Sequence, residues 1–432
     1  RTASGGKSVS KILLLSRCII IAHRLAQITP REKLVMNSPD VEVWDYRKPL
    51  MVFSLPIGLD HSNPTVYGLY GVSSAYWMEV LLLVSLNILL AAVTGVILYK
   101  VVVEPKYYDT TSTRILGFGV LLPFWITWPT TIYKLLDVQN LVFKFIVGGL
   151  TPTIMLFRIS EVVFGCCADH VTQSMSDFVL YFASVLGFAR DPTTRAFIKA
   201  SSATKLHHFK NFLFLLLVTG SFQSILTPYP DFNLFGDNID SEDWFTWQRM
   251  KTWQLYANSF LHAVLFQLYL TTYCEGLTSF YVSVTGYQMD PVMKNPLGGA
   301  TSPSDFWGKR WNLLVHGVLK GGVYKPARKN GYSPTTAVIA TFLASGLFHE
   351  WLAHGLFRTS CKGSGTSTPC YEHLLGGSMV FFSWQAILLT GELTLGRTTI
   401  MNTIAAQLPV PARTALIIAM GIPFAHFFTE PY

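Results

Sequence analysis

A series of apolar blocks, each about as long as a bilayer is thick, leaves this chain few possible folds. Residues 79–99 (EVLLLVSLNILLAAVTGVILY) carry one charged side chain, Glu79, at the leading edge. At 1.5 Å per residue, about 20 helical residues cross the ~30 Å hydrocarbon core. Similar blocks recur near 115–135, 141–165, 210–228, 254–286, 335–357, 376–395 and 412–428, giving about eight candidate spans. A shorter apolar run at 174–189 need not cross. Of the 432 residues, 50% are hydrophobic and only 13% charged, about half the charge of a soluble domain. Membrane strands alternate apolar and polar residues, whereas these blocks are apolar all round, so a β-barrel is excluded. The expected fold is an all-α, polytopic integral membrane protein with about 8–9 transmembrane helices.

A net charge of +8 would suggest nucleic acid in a soluble protein. In a membrane protein it reads instead as basic loops against the cytoplasm or anionic headgroups, with no nucleic-acid partner. Arg190, Arg195, Lys199, Lys205 and Lys210 form one basic stretch, and Lys309, Arg310, Lys320, Lys325, Arg328 and Lys329 another. Between them lies an acidic loop, with Asp231, Asp237, Asp240, Glu242 and Asp243. Basic loops inside and the acidic loop outside fit the blocks at 210–228 and 254–286; before residue 190 the parity breaks. Trp244, Phe245 and Trp247 of the outer loop suit an aromatic belt. Cys166 and Cys167 read as packing residues. Cys361 and Cys370 bracket a Gly/Ser/Thr loop placed on the non-cytoplasmic side, where a disulfide is compatible with the compartment.

Residues 1–75 form a basic, then Pro- and Tyr-rich region. It reads as an interfacial amphipathic segment or an organelle-targeting remnant. Residues 76–432 read as a single polytopic domain without internal repeat.

Ionisable groups inside apolar spans are costly, and each raises a functional question. Arg158 and Glu161, three apart, are expected to pair on one helix face. His170, His207 and His208 fall in expected loops, and His262 and His426 read as packing histidines. His349 differs: it sits well inside ATFLASGLFHEWLAHGLF, behind the small residues Ala344, Ser345 and Gly346, with Glu350 next to it. The zinc-protease pattern needs histidines four apart, but position 353 is Ala and His354 is five on, so no metal is expected there. A neutral buried imidazole suits general-base work.

A second constellation is TSPSDFWGKRWNLLVHGVLKGGVYKP, residues 301–326. Trp307 and Trp311, four apart, are expected on one helix face, and Asn312 and His316 on another. Lys309 and Arg310 make this an amphipathic helix at the membrane surface, a fitting entrance for a charged, acyl-bearing substrate.

The runs DFWGKRWN, VYKP and FHEW together resemble the wax synthase-like branch of the membrane-bound O-acyltransferases, over a core at 295–357. That branch has Arg where this chain has Lys309. The Phe-Tyr-x-Asp-Trp-Trp-Asn run of the diacylglycerol and sterol acyltransferases is absent. The resemblance implies helices around a buried central reaction chamber, His349 as catalytic base and Asn312 as the second catalytic residue. It implies that His316, Trp307, Trp311, Lys309, Arg310 and Lys325 bind substrate. It also implies acyl-CoA as co-substrate with no further cofactor, a lipid or long-chain alcohol as acceptor, and membrane lipids as surroundings. Residence in the endoplasmic reticulum is expected, with a plastid or mitochondrial membrane as the alternative. Diacylglycerol or sterol esterification remains open, as does a role as an acyltransferase-derived subunit of a membrane complex or homo-oligomer.

Overall fold

The computed structural model describes residues 74–136, 141–226, 252–356, 375–395 and 407–429. The amino-terminal region, the acidic loop with its aromatic belt, and the Cys361–Cys370 loop lie outside the described residues. Everything described falls within one unit, Tyr46–Tyr432.

The regular elements among the described residues are all helices, and no strand forms among them. The extended stretches touch only at isolated bridges, such as Phe188 with Met289. The helices used below are α1 Ser74–Leu98, α2 Leu122–Leu135, α3 Leu141–Gly148, α4 Thr151–Val163, α5 Met175–Ala183, α6 Ser202–Leu226 and α7 Thr252–Thr285. They continue as α8 Leu313–Leu319, α9 Pro334–Trp351, α10 Gly377–Leu395, α11 Val410–Gly421 and α12 His426–Thr429.

Among the described residues, five stretches are long and apolar enough to cross a membrane: Glu79–Val103, Thr111–Leu135, Ile146–Val163, Pro334–Leu356 and Gly377–Leu395. Leu81, Leu82, Leu89 and Val93 of α1 point outward and are exposed, which water would penalise and lipid does not. The chain is therefore an all-α integral membrane protein. Of the other expected spans, α6 and α7 are 25 and 34 residues long. They pair through the Thr219–Thr272 hydroxyl bond (2.8 Å) and His208 Nδ1 with Glu275 (2.7 Å). His207 and His208 thus lie on a helix, not in a loop. The run at 174–189 forms only the nine-residue α5, about 14 Å long, too short to cross.

Ile146–Val163 is 72% buried, against 28–39% for the other four spans, and is the central one. The expected Arg158–Glu161 pair does not form. Arg158 donates to the carbonyls of Tyr181 and Ser184 at the end of α5, while Glu161 accepts from Tyr181 Oη at 2.6 Å and lies 3.7 Å from Lys325 Nζ. A buried guanidinium needs several acceptors, and the end of α5 supplies free carbonyls. Against α4 presses the segment 320–324, which can approach because it begins Lys-Gly-Gly: a Cβ at Gly322 would stand 2.5 Å from the Phe157 carbonyl oxygen. Ser160 Oγ instead donates to the Gly322 carbonyl at 2.6 Å.

Candidate active site

The tract 301–326 is not one amphipathic helix. Ser302 caps a short helix, Pro303–Asp305, by accepting from Asp305 N at 3.1 Å. A π-helical turn, Phe306–Arg310, comes next. The chain then extends at Trp311 and turns left-handed at Asn312 (φ 37°, ψ 64°) before α8 begins. A second π turn, Lys320–Tyr324, succeeds α8. The extra residue in a π turn rotates the downstream residues out of α-helical register. The shared face expected for Trp307 and Trp311 therefore does not exist, whereas Asn312 and His316 stay one helical turn apart at the start of α8, with His316 N donating to the Asn312 carbonyl at 2.9 Å. The Trp307 and Trp311 rings still meet, 6.2 Å apart, and Asn312 and His316 line the same cavity.

Asn312 suits this corner for local reasons, since Asn tolerates the left-handed region better than most residues. Its Oδ1 caps α8, accepting from Val315 N at 3.2 Å. Its backbone N contacts Met293 Sδ at 3.1 Å. With Oδ1 engaged, Nδ2 is the amide group left to act in the cavity.

His349 arrives on α9, which starts at the Ser333 cap with Pro334 in its first turn. Gly346, one turn earlier, lets α10 close in, since a Cβ there would lie 2.7 Å from Met379 Sδ. Nδ1 of His349 lies 2.8 Å from the Ser345 carbonyl oxygen. A carbonyl only accepts, so Nδ1 carries the proton and Nε2 presents its lone pair. The ring stacks on Phe382 (4.6 Å, 24°) and meets Phe348 and Phe428 edge-on. Glu350 points elsewhere. Its carboxylate accepts from Gly376 N (3.1 Å), Ser378 N (2.7 Å) and Met379 N (3.4 Å), capping α10, and its Oε2 lies 3.3 Å from His354 Nε2.

A cavity of about 430 Å³ opens between α8, α9 and α10, lined by His349, Asn312, His316, Trp307 and Trp311 together with Ser345, Thr341, Tyr324, Phe382 and Phe428. The two sequence constellations, 37 residues apart, thus share one mostly apolar chamber. Burial, and after it the charge of Lys320, holds the His316 imidazole below its usual 6.5.

The expected basic residues are placed differently. Arg310 Nε donates to Asp305 Oδ2 at 2.6 Å and Nη1 to the Lys294 carbonyl at 3.2 Å. Lys325 Nζ donates to the Cys166 carbonyl at 2.9 Å. Both fasten the tract to its neighbours, and Lys309 is exposed outside the chamber's lining. Among the described residues, Lys320 is the lysine that lines the chamber, and it is also exposed. Sequence reasoning also passed over Gln385, 4% exposed on α10, whose Oε1 accepts from Trp307 Nε1 at 3.1 Å. Its signal was available: a carboxamide in the middle of an apolar span.

The fold and chamber define a helical membrane protein with a polar pair, imidazole and carboxamide, enclosed among apolar and aromatic side chains. Residues 289–383 match the model of the Membrane bound O-acyl transferase family. That stretch contains DFWGKRWN, VYKP and FHEW, and the resemblance to the wax synthase-like branch is borne out. Among curated proteins, the chain is 32% identical over 143 residues to a probable long-chain-alcohol O-fatty-acyltransferase 9 of Arabidopsis thaliana, covering 32% of this chain and 37% of that one. It is 32% identical over 154 residues to number 6 of the same series in that organism, covering 34% of this chain and 40% of the relative. An acyl-CoA–sterol O-acyltransferase 1 of Arabidopsis thaliana is 38% identical over 74 residues, covering 16% of this chain and 21% of the relative. The chain thus spans about two fifths, or less, of the length of these relatives.

Proposed function

We propose that the protein is an acyl-CoA-dependent O-acyltransferase that esterifies a long-chain alcohol inside the membrane. One observation carries the reading: His349, with Nε2 free to accept a proton, and Asn312 line a single apolar chamber within the segment that matches the acyltransferase family. The acyl-CoA enters at the polar end, where exposed Lys320 meets its phosphates, and the alcohol arrives from the bilayer. His349 Nε2 takes the hydroxyl proton as the alcohol oxygen attacks the thioester carbonyl. Nδ1–H, held on the Ser345 carbonyl, steadies the imidazolium that forms. Asn312 Nδ2 donates to the developing oxyanion. Collapse re-forms the carbonyl and breaks the C–S bond. The proton on His349 passes to the departing thiolate, so the products are one ester and free CoA. No covalent enzyme intermediate is required, because the thioester is already activated.

The Trp307–Trp311 wall and the phenyl rings around His349 exclude water from the reacting atoms, which suppresses hydrolysis of the thioester. The sterol acyltransferase match favours a sterol as the second candidate acceptor. Residence in the endoplasmic reticulum belongs to this reading. Purified protein given labelled acyl-CoA with a long-chain primary alcohol, a sterol or a diacylglycerol is expected to form the labelled alkyl ester fastest. Dominant sterol ester would replace the acceptor. Absence of any ester would favour an acyltransferase-derived structural subunit instead.

A further inference from the structure

The chamber has a smaller neighbour. A second cavity of about 100 Å³ lies behind the tryptophans, with α10 and α11 forming its far side through Leu388, Ile417 and Ile418. Phe266, Trp307, Trp311 and Phe428 line both cavities, so these four rings are the partition between them. Trp307 stands at its centre, with Phe342, Phe381 and Phe382 ring centroids 5.9, 6.3 and 6.1 Å away. Its indole N–H is tied to Gln385, a buried carboxamide on a membrane-spanning helix. Such a group is expensive in that position unless bonded. Gln385 fixes the indole across the passage.

Resting on the acyltransferase reading, we propose that Trp307, tethered by Gln385, is the stop that limits the length of alkyl chain the chamber accepts. The second cavity is then an end pocket that a longer chain would fill if the indole were removed. Its lining suits saturated hydrocarbon, which either the acyl donor or the alcohol could supply.

The test measures kcat/KM with purified full-length protein on two ladders. One is saturated acyl-CoAs of increasing length with a fixed alcohol, the other primary alcohols with a fixed acyl-CoA. Trp307→Leu and Gln385→Leu are made together, because removing one partner alone would orphan the other. In at least one ladder the preference for the longer over the original best chain is expected to rise on the order of tenfold, as a methylene newly accommodated in an apolar pocket does. The ladder that shifts names the chain. Adding Gly421→Leu, whose Cβ meets only Gln385 Nε2 at 3.7 Å, refills the end pocket and is expected to reverse the shift. If the double variant does not fold, Trp307→His, a smaller ring whose Nε2–H can still donate to Gln385, decides, with a smaller shift in the same direction. An active wild type whose ladders stay unmoved by these changes, or a shift that Gly421→Leu does not reverse, overturns the stop and leaves the acyltransferase reading intact. A wild type that esterifies no chain removes both.

Discussion

At the scale of single residues, Asn312 carries two separable burdens. Its Oδ1 caps α8 and its backbone is left-handed, while its Nδ2 is the proposed oxyanion donor. Asn312→Asp keeps an oxygen for the cap and tolerates the same backbone, but loses the donor. It is expected to preserve thermal stability while lowering kcat by about 10²–10³, the usual effect of one lost oxyanion donor. Asn312→Ala is expected to cost stability as well, about 1 kcal/mol from the cap. A fall in stability without a fall in turnover, measured on both variants, would make Asn312 structural only. His316 gives a pH signature. Its folded pKa lies below the ordinary 6.5 because burial disfavours the charged ring. The unfolded chain therefore binds more protons than the folded one below pH 6.5, and stability falls as pH drops through that window, levelling off below the folded pKa. Melting temperatures from pH 7.5 down to 5 are expected to fall less steeply in His316→Gln than in wild type. Parallel slopes would contradict the assignment.

At the scale of elements, the clamp between α9 and α10 is the part that positions the His349 ring, the proposed base. Glu350 caps α10, and α10 delivers Phe382, on which the His349 ring stacks. Glu350→Gln keeps the shape but turns one acceptor oxygen into a donor facing the backbone N–H groups of α10, at a cost of about 1–3 kcal/mol. The expected result is a lower melting temperature together with a reduced kcat and little change in KM. A changed KM with unchanged kcat would show that Glu350 does not orient the base. The sequence made α9 and its histidine legible, because an ionisable residue inside an apolar block is conspicuous. It did not make the tract 301–326 legible. Fourfold spacing implied one continuous helix; the tract instead breaks where it bonds to residues 292–294 (Lys294 N to the Arg310 carbonyl, Leu313 N to the Val292 carbonyl) and to α4 (Ser160 Oγ to the Gly322 carbonyl), partners that periodicity does not encode. For the same reason Arg310 and Lys325 looked like phosphate ligands, whereas Asp305 and the Cys166 carbonyl, partners fixed only by the fold, engage them.

At the scale of the whole molecule, hydrophobic block length was enough to establish helices in a membrane, since lipid leaves the backbone few choices. The chamber could not be read that way. It exists because Gly346 lets α10 approach α9 and because Gly321 and Gly322 let the tract lie on α4, so that His349 and Asn312 face one space. If that space transfers an acyl group with His349 Nε2 as the base, the decisive comparison is ester formation from labelled acyl-CoA and a long-chain alcohol by purified wild type, His349→Ala and His349→Gln. Both variants are expected to elute and melt as folded protein and to form no ester above the uncatalysed rate, while wild type turns over. Ester formation by either variant at the wild-type rate would show that His349 is not the base.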